Sequence, residues 1–154
     1  MVEFALVLPV LMLLLIGFFD LGRVVLSHDA LAHAAREAAR FAIVHGATAT
    51  CPAGPLPDDV VAPASSASCT YPSPSKESIR IEAREQAAAA NSNVTVEVCY
   101  GEGCTGDTDA PGATNERGTP VTVTVHSTVA MSAAGLIGFS SFATTSSSTM
   151  LVNH

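Results

Sequence analysis

No charge interrupts Phe4 to Phe19, FALVLPVLMLLLIGFF, and from Asp20 onward charged and apolar residues alternate at helical spacing. The pattern predicts one unbroken helix over residues 1–45 with two unlike halves. At 1.5 Å rise per residue the uncharged run spans about 24 Å; Leu21, Met1 and Val2 extend it toward the ~30 Å core of a bilayer. A single membrane crossing is the expectation. Pro9 removes one backbone hydrogen bond and frees the carbonyl of Ala5, which predicts a kink there. A cleaved secretory signal is the alternative, but it needs a basic start and small residues at its cleavage site. Here no Lys or Arg precedes the run and Phe18 and Phe19 close it, so the segment is expected to be retained.

In the second half Leu21, Val24, Val25, His28, Leu31, Ala35, Ala38, Phe41 and Ala42 step by three and four. That spacing marks an apolar helix face, with Asp20, Arg23, Asp29, Arg36 and Arg40 opposite. Asp29, His33 and Glu37 lie at i, i+4 spacing on one strip, which makes His33 a surface residue rather than a ligand. The alanines of AHAAREAARFA favour helix and close approach of a neighbour. Gly46 supplies the stop.

Residues 46–74 are rich in Ala, Pro, Ser and Thr and read as an irregular loop, either an interaction surface or partly mobile. A second helix is expected from Pro74, with Ser73 as N-cap, to a stop at Asn91. Beyond Asn93 the period becomes two. Val94, Val96, Val98 and Tyr100 share one face, and Val121, Val123, Val125 and Val129 share another, predicting an antiparallel pair of strands. The stretch AMSAAGLIGFSSF is too short for a second crossing and reads as a buried turn or short helix. The tail FATTSSSTMLVN is a candidate last strand. The fold class is therefore α+β, divided into a helix at 1–45, a loop at 46–74 and a small head at 75–154.

Charge narrows the partners. Lys and Arg number 7 against 14 Asp and Glu, with a mean hydropathy of +0.38. An acidic head argues against nucleic acid or an anionic lipid surface as its partner. The four cysteines, Cys51, Cys69, Cys99 and Cys104, form two near-neighbour pairs. Cys51 with Cys69 and Cys99 with Cys104 is the favoured connectivity of three, and disulfides would place the head outside the cytoplasm. Zinc competes weakly, because no CxxC spacing occurs and no His lies near.

Glu102, Asp107, Asp109 and Glu116 on a glycine-rich loop raise calcium, yet their spacing matches no EF-hand and a solvated acidic loop is the stronger reading. Ser140 in GFSSF is not a nucleophile elbow, and His126 on a Thr/Val strand reads as structural. Catalytic residues and cofactors are assigned to none; the sequence offers no reaction.

Val2-Glu3-Phe4-Ala5, Pro9, Asp20 with Gly22-Arg23, and the AAREAAR block from Ala34 to Arg40 together resemble the N-terminal signature of the TadE-like family. These are minor pilins or pseudopilins of tight-adherence (Flp-type) pilus machinery. The resemblance covers about the first third of the chain and implies a pilin-like head. It also implies residence in the bacterial inner membrane, packing against other pilins and the assembly platform, and cleavage by a prepilin peptidase. Glu3 matches the family glutamate thought to meet a neighbouring subunit's terminal amine. Pro9, Asp20, Arg23, Arg36, Glu37 and Arg40 are carried with it as assembly residues. No basic leader or cleavage glycine stands ahead of Glu3, so a leader upstream of Met1 and an unprocessed chain both remain open. A static single-pass anchor whose head binds a partner is the alternative function.

Overall fold

The computed structural model describes residues 2–61, 69–88, 93–131 and 141–153. Its elements are α1 (Val2–Val44), α2 (Lys76–Ala87), β1 (Val94–Tyr100), β2 (Pro120–Ala130) and β3 (Ser141–Leu151). The strands form one antiparallel sheet in the order β1-β2-β3. The expected α+β architecture of a long helix, a short helix and an antiparallel sheet is what the chain adopts. The tail is the third strand.

Alternation along the strands decides which face is inside. Val96, Val98, Tyr100, Val121, Val123 and Val125 are buried in one core with Ile79, Ala83 and Ala87 of α2 and the second half of α1. Each buried valine contributes roughly 1.5–3 kcal/mol relative to exposure. α1 packs against β2 and β3, and α2 against β1, so the two helices share one face of the sheet and touch one another. The opposite face carries Thr122, Thr124, His126, Thr145, Ser147 and Thr149. There the Thr122 and Thr149 hydroxyls meet at 2.8 Å, and His126 Nδ1 lies 2.9 Å from Thr145 Oγ1. His126 is thus one rung of a polar ladder.

α1 is continuous through Pro9 and gives way at His45–Gly46. Its packed stripe differs from the expected one. Asp20, Ser27, Leu31, Ala34, Ala35, Ala38, Ala39 and Ala42 are buried, whereas Leu21, Val25 and His28 are exposed. Asp20 therefore belongs to the inner side and not to the charged strip; Arg23, Asp29, His33, Arg36 and Arg40 do lie outside. The reason is steric: the valine-covered sheet admits small side chains at close range, and five alanines set the rotation of the helix. The larger apolar residues are left facing outward.

α2 also starts later than expected. Ser75, in an extended conformation, caps it by accepting from the Glu77 N–H at 3.1 Å, and Ser78 donates to the Ser75 carbonyl. The Ser73 hydroxyl instead donates to the Pro52 carbonyl at 2.7 Å, so it holds the loop and does not cap the helix. α2 ends at Ala87; the expected stop at Asn91, Ser140 and most of the AMSAAGLIGFSSF stretch lie outside the described residues.

The loop after α1 is tied down over much of its length. Pro52, Ala53 and Gly54 are buried, and the Ala53 carbonyl accepts from both Tyr100 Oη at 2.9 Å and Asn115 Nδ2 at 3.0 Å. Asn115 further links its N–H to the Pro55 carbonyl and its carbonyl to the Ala47 N–H. Gly54 has φ +101° with the Tyr100 ring pressed on it, where no larger residue fits.

Candidate functional site

The N-terminal half of α1 is a bare apolar rod. From Phe4 to Leu21 its large side chains are exposed, Phe4 by 74% and Phe19 by 75%. A helix serving as the core of a soluble fold would bury such residues, and this one presents them to its surroundings, as a bilayer or a bundle of like helices requires. Glu3 and Pro9 lie in this half, Glu3 in the first turn. Asp20, 8% exposed, marks where the rod meets the body of the protein. Farther along, Arg23, Arg36 and Arg40 point outward and Glu37 lies 3.4 Å from Arg40 one turn on. These residues are strung along the helix and are not gathered into a pocket.

Both cysteine pairs close as the spacing suggested. Cys51–Cys69 has its Cα atoms 5.8 Å apart and Cys99–Cys104 5.9 Å. The first ties the Pro-rich loop across 18 residues. The second fixes the start of the loop that follows β1. Near the first pair, Phe41 stacks on His45 with centroids 4.0 Å apart and Tyr71 meets Phe41 edge-on. They border a cavity of about 350 Å³ between α1, the loop and α2. Tyr71 donates to Glu85 at 2.8 Å, and that bond, with lesser contributions from burial and Glu82, pushes its hydroxyl up to about 12.

The acidic loop after β1 has a structural task that the sequence reading missed. Asp107 Oδ1 accepts from the Val98 N–H at 3.1 Å, and Asp109 Oδ1 accepts from the Tyr100 N–H at 2.8 Å. Lys76 Nζ donates to the Val98 carbonyl at 3.0 Å and pairs with Asp109 at 2.7 Å. The Ala110 N–H completes the row on the Tyr100 carbonyl. Side chains thus replace a neighbouring strand along the free edge of β1. The signal was present: two carboxylates two residues apart match the period of the strand they serve. Arg80 braces Asp107 and reaches Glu77 at 3.1 Å, and Arg84 joins Glu77 at 3.0 Å. The Arg80 bond holds the Asp107 carboxyl below its ordinary 3.8. Among the described residues no group of three or more His, Cys, Asp or Glu stands close enough to hold a metal.

Against known families, residues 1–40 match the family model described as TadE-like protein. The N-terminal part of the chain is thus similar to the TadE-like family over 40 of its 154 residues. From residue 2 onward the match lies within α1, on the rod and most of its alanine-packed continuation. No curated protein and no solved structure matches. TadE-like proteins are associated with the tight-adherence pilus and are structural components. The exposed apolar rod and this N-terminal similarity together support a membrane-anchored envelope protein.

Proposed function

We propose that this protein is a minor pilin or pseudopilin that enters a tight-adherence pilus assembly through α1 and contacts other subunits with its head. The observation that carries the reading is the build of α1. A single helix is bare and apolar through its first half, and its second half is embedded in the head's core. A helix of that kind moves from lipid into a bundle of pilin helices without refolding, because the same side chains suit acyl chains and neighbouring helices. Glu3 would pair with a neighbour's terminal amine during that transfer, which avoids an isolated charge among apolar surfaces. Arg23, Arg36 and Arg40, with Glu37, supply outward charges for contacts beyond the membrane. The two disulfides suit a head on the extracytoplasmic side. The work is assembly, without a reaction.

The deciding experiment compares the intact mass and N-terminal sequence of the native protein in strains with and without the prepilin peptidase, together with its recovery in sheared pili. A peptidase-dependent N-terminus and presence in the sheared fraction are expected. The same N-terminus in both strains and exclusion from sheared pili would make it a static anchor. Glu3→Ala is expected to leave membrane insertion intact and reduce recovery in pili; unchanged recovery would remove Glu3 from the mechanism.

A further inference from the structure

On the side of α1 turned away from the sheet, the apolar surface does not stop at Asp20. Phe18, Phe19, Leu21, Val25 and Leu26 are all exposed, Leu26 by 71%, and the first carboxylate on that side is Asp29. Asp20 stands within this stretch, but it is buried on the inner side, so lipid on the far side does not meet it. Length separates the two boundaries. Phe4 to Phe19 covers about 24 Å, too little for the ~30 Å hydrocarbon core, whereas Phe4 to Leu26 covers about 35 Å and suffices with some tilt.

The sheet comes down to the same level. The Asn153 N–H donates to the Ile43 carbonyl at 3.2 Å, so the C-terminal ends of β3 and α1 adjoin and β3 packs back along the helix. The 11 residues of β3 span about 36 Å, or about 24 residues of helix, which brings Phe142 to the level of Phe19 to Leu26. Phe142 alternates with the buried Thr144 and so turns to the helix side, yet it is 48% exposed. β2 and β3 carry no Asp, Glu, Lys or Arg. Glu102, Asp107, Asp109 and Glu116 follow β1 at the opposite end, where the Asn115 carbonyl accepts from Ala47. The acidic charge that argues against an anionic lipid surface is thus carried away from this end. The exposed charge inside the apolar collar is Arg23, one turn from both Phe19 and Leu26. Among the described residues no carboxylate pairs with it. A guanidinium framed by exposed apolar side chains suits the layer where acyl chains meet phosphate.

We infer that the lipid boundary lies at Leu26 on the side of α1 away from the head, and that the Phe142 end of the sheet rests in the headgroup layer of the same leaflet, with Arg23 on a phospholipid phosphate. The occupant of this surface is the bilayer itself, because the collar continues the anchor helix without a break. The head is therefore seated on the membrane and not held above it on a stalk. Arg36 and Arg40, beyond Asp29, stay in water and remain for subunit contacts, whereas Arg23 serves lipid for as long as the chain is in the membrane. The inference rests on the membrane anchor and not on entry into a pilus.

The full chain in nanodiscs of phosphatidylcholine and phosphatidylglycerol, in phosphate-free buffer, tests it without any other protein present. The native cysteines are all paired, so one introduced thiol takes a nitroxide label. Labels at Leu11→Cys, Leu26→Cys, Asp29→Cys, Phe142→Cys and Thr149→Cys are read by collision with oxygen, which enters lipid, and with a nickel chelate, which stays in water. Leu11 and Leu26 are expected to favour oxygen, Asp29 and Thr149 to favour nickel, and Phe142 to fall between. Nickel access at Leu26 equal to that at Asp29, with Leu11 in lipid, overturns the inference and leaves the anchor standing; nickel access at Leu11 as well removes both. Phe142 as open to nickel as Thr149 overturns the seating of the sheet. For Arg23, solid-state NMR of a chain labelled with spin-active carbon at the arginine Cζ atoms should show dephasing by lipid phosphorus that is lost in Arg23→Gln. Its absence in the parent, or its persistence in the variant, overturns the contact with phosphate. A chain that meets these expectations and is missing from sheared pili leaves the membrane seat standing and removes the pilus reading instead.

Discussion

Asp107→Ala removes the carboxylate that stands in for a strand at Val98. In the structure that side chain accepts the Val98 N–H at 3.1 Å and receives Arg80 at its other oxygen. A hydrogen bond to a charged group contributes roughly 1.5–3 kcal/mol, and a half-exposed ion pair about 0.2–1 kcal/mol. Val98 is buried, so its orphaned N–H is poorly reached by water. The expected loss is about 2 kcal/mol, or on the order of 5–10 °C in the thermal midpoint of the full chain in detergent. Asp107→Asn keeps an oxygen for Val98 and should lose less.

The pH dependence is a sharper check. Because Arg80 and the Val98 N–H hold the Asp107 carboxyl below its ordinary 3.8, the folded state favours the ionised form. Its contribution is fully present above the ordinary value and is lost as pH falls through the lower folded value. The gap between the parent and Asp107→Ala should therefore be constant from about pH 5 to 8 and narrow below about pH 4. A midpoint unchanged at pH 7, or a gap that does not narrow in acid, would refute the assignment of Asp107 as an edge closure.

Gly54→Ala places a Cβ 2.5 Å from the Tyr100 ring at a φ of +101°, and a loss of about 2–4 kcal/mol is expected by denaturant titration. Ala38→Leu overfills the contact between α1 and the sheet and should cost about 1–3 kcal/mol, whereas Leu21→Ala on the exposed rod should leave head stability unchanged. Both tyrosines are raised, Tyr71 to about 12 by its bond to Glu85 and Tyr100 further by burial. Phenolate absorbance should therefore stay low at pH 10.5 in the folded chain, and Tyr71→Phe should remove the earlier of two late steps. For each tyrosine the favourable contribution is present below the ordinary value of 10 and fades as pH rises through the folded one.

Local pattern was enough for much of this protein. An uncharged run followed by helical spacing identifies α1 and its change of character near Asp20, and period-two valines identify β1 and β2 with their inner face. Near-neighbour cysteines point to the pairs that form, and the N-terminal residues carry the family resemblance. Each is a property of residues close in the chain, where periodicity and loop closure act directly. The rotation of α1 was not legible, because Leu21 and Val25 are as apolar as anything on the packed stripe; only the closeness of a valine-covered sheet selects the alanines. The acidic loop likewise looked solvated: the two-residue spacing of Asp107 and Asp109 is visible in the chain, but that it meets the Val98 and Tyr100 N–H groups is decided only when the loop folds back along β1. Which sheet edge is sealed and which is open depends on strand order and hydrogen-bond direction, and these arise only when distant segments pair. Sequence determined the elements and the membrane-compatible rod; tertiary structure decided which surfaces remain for a partner.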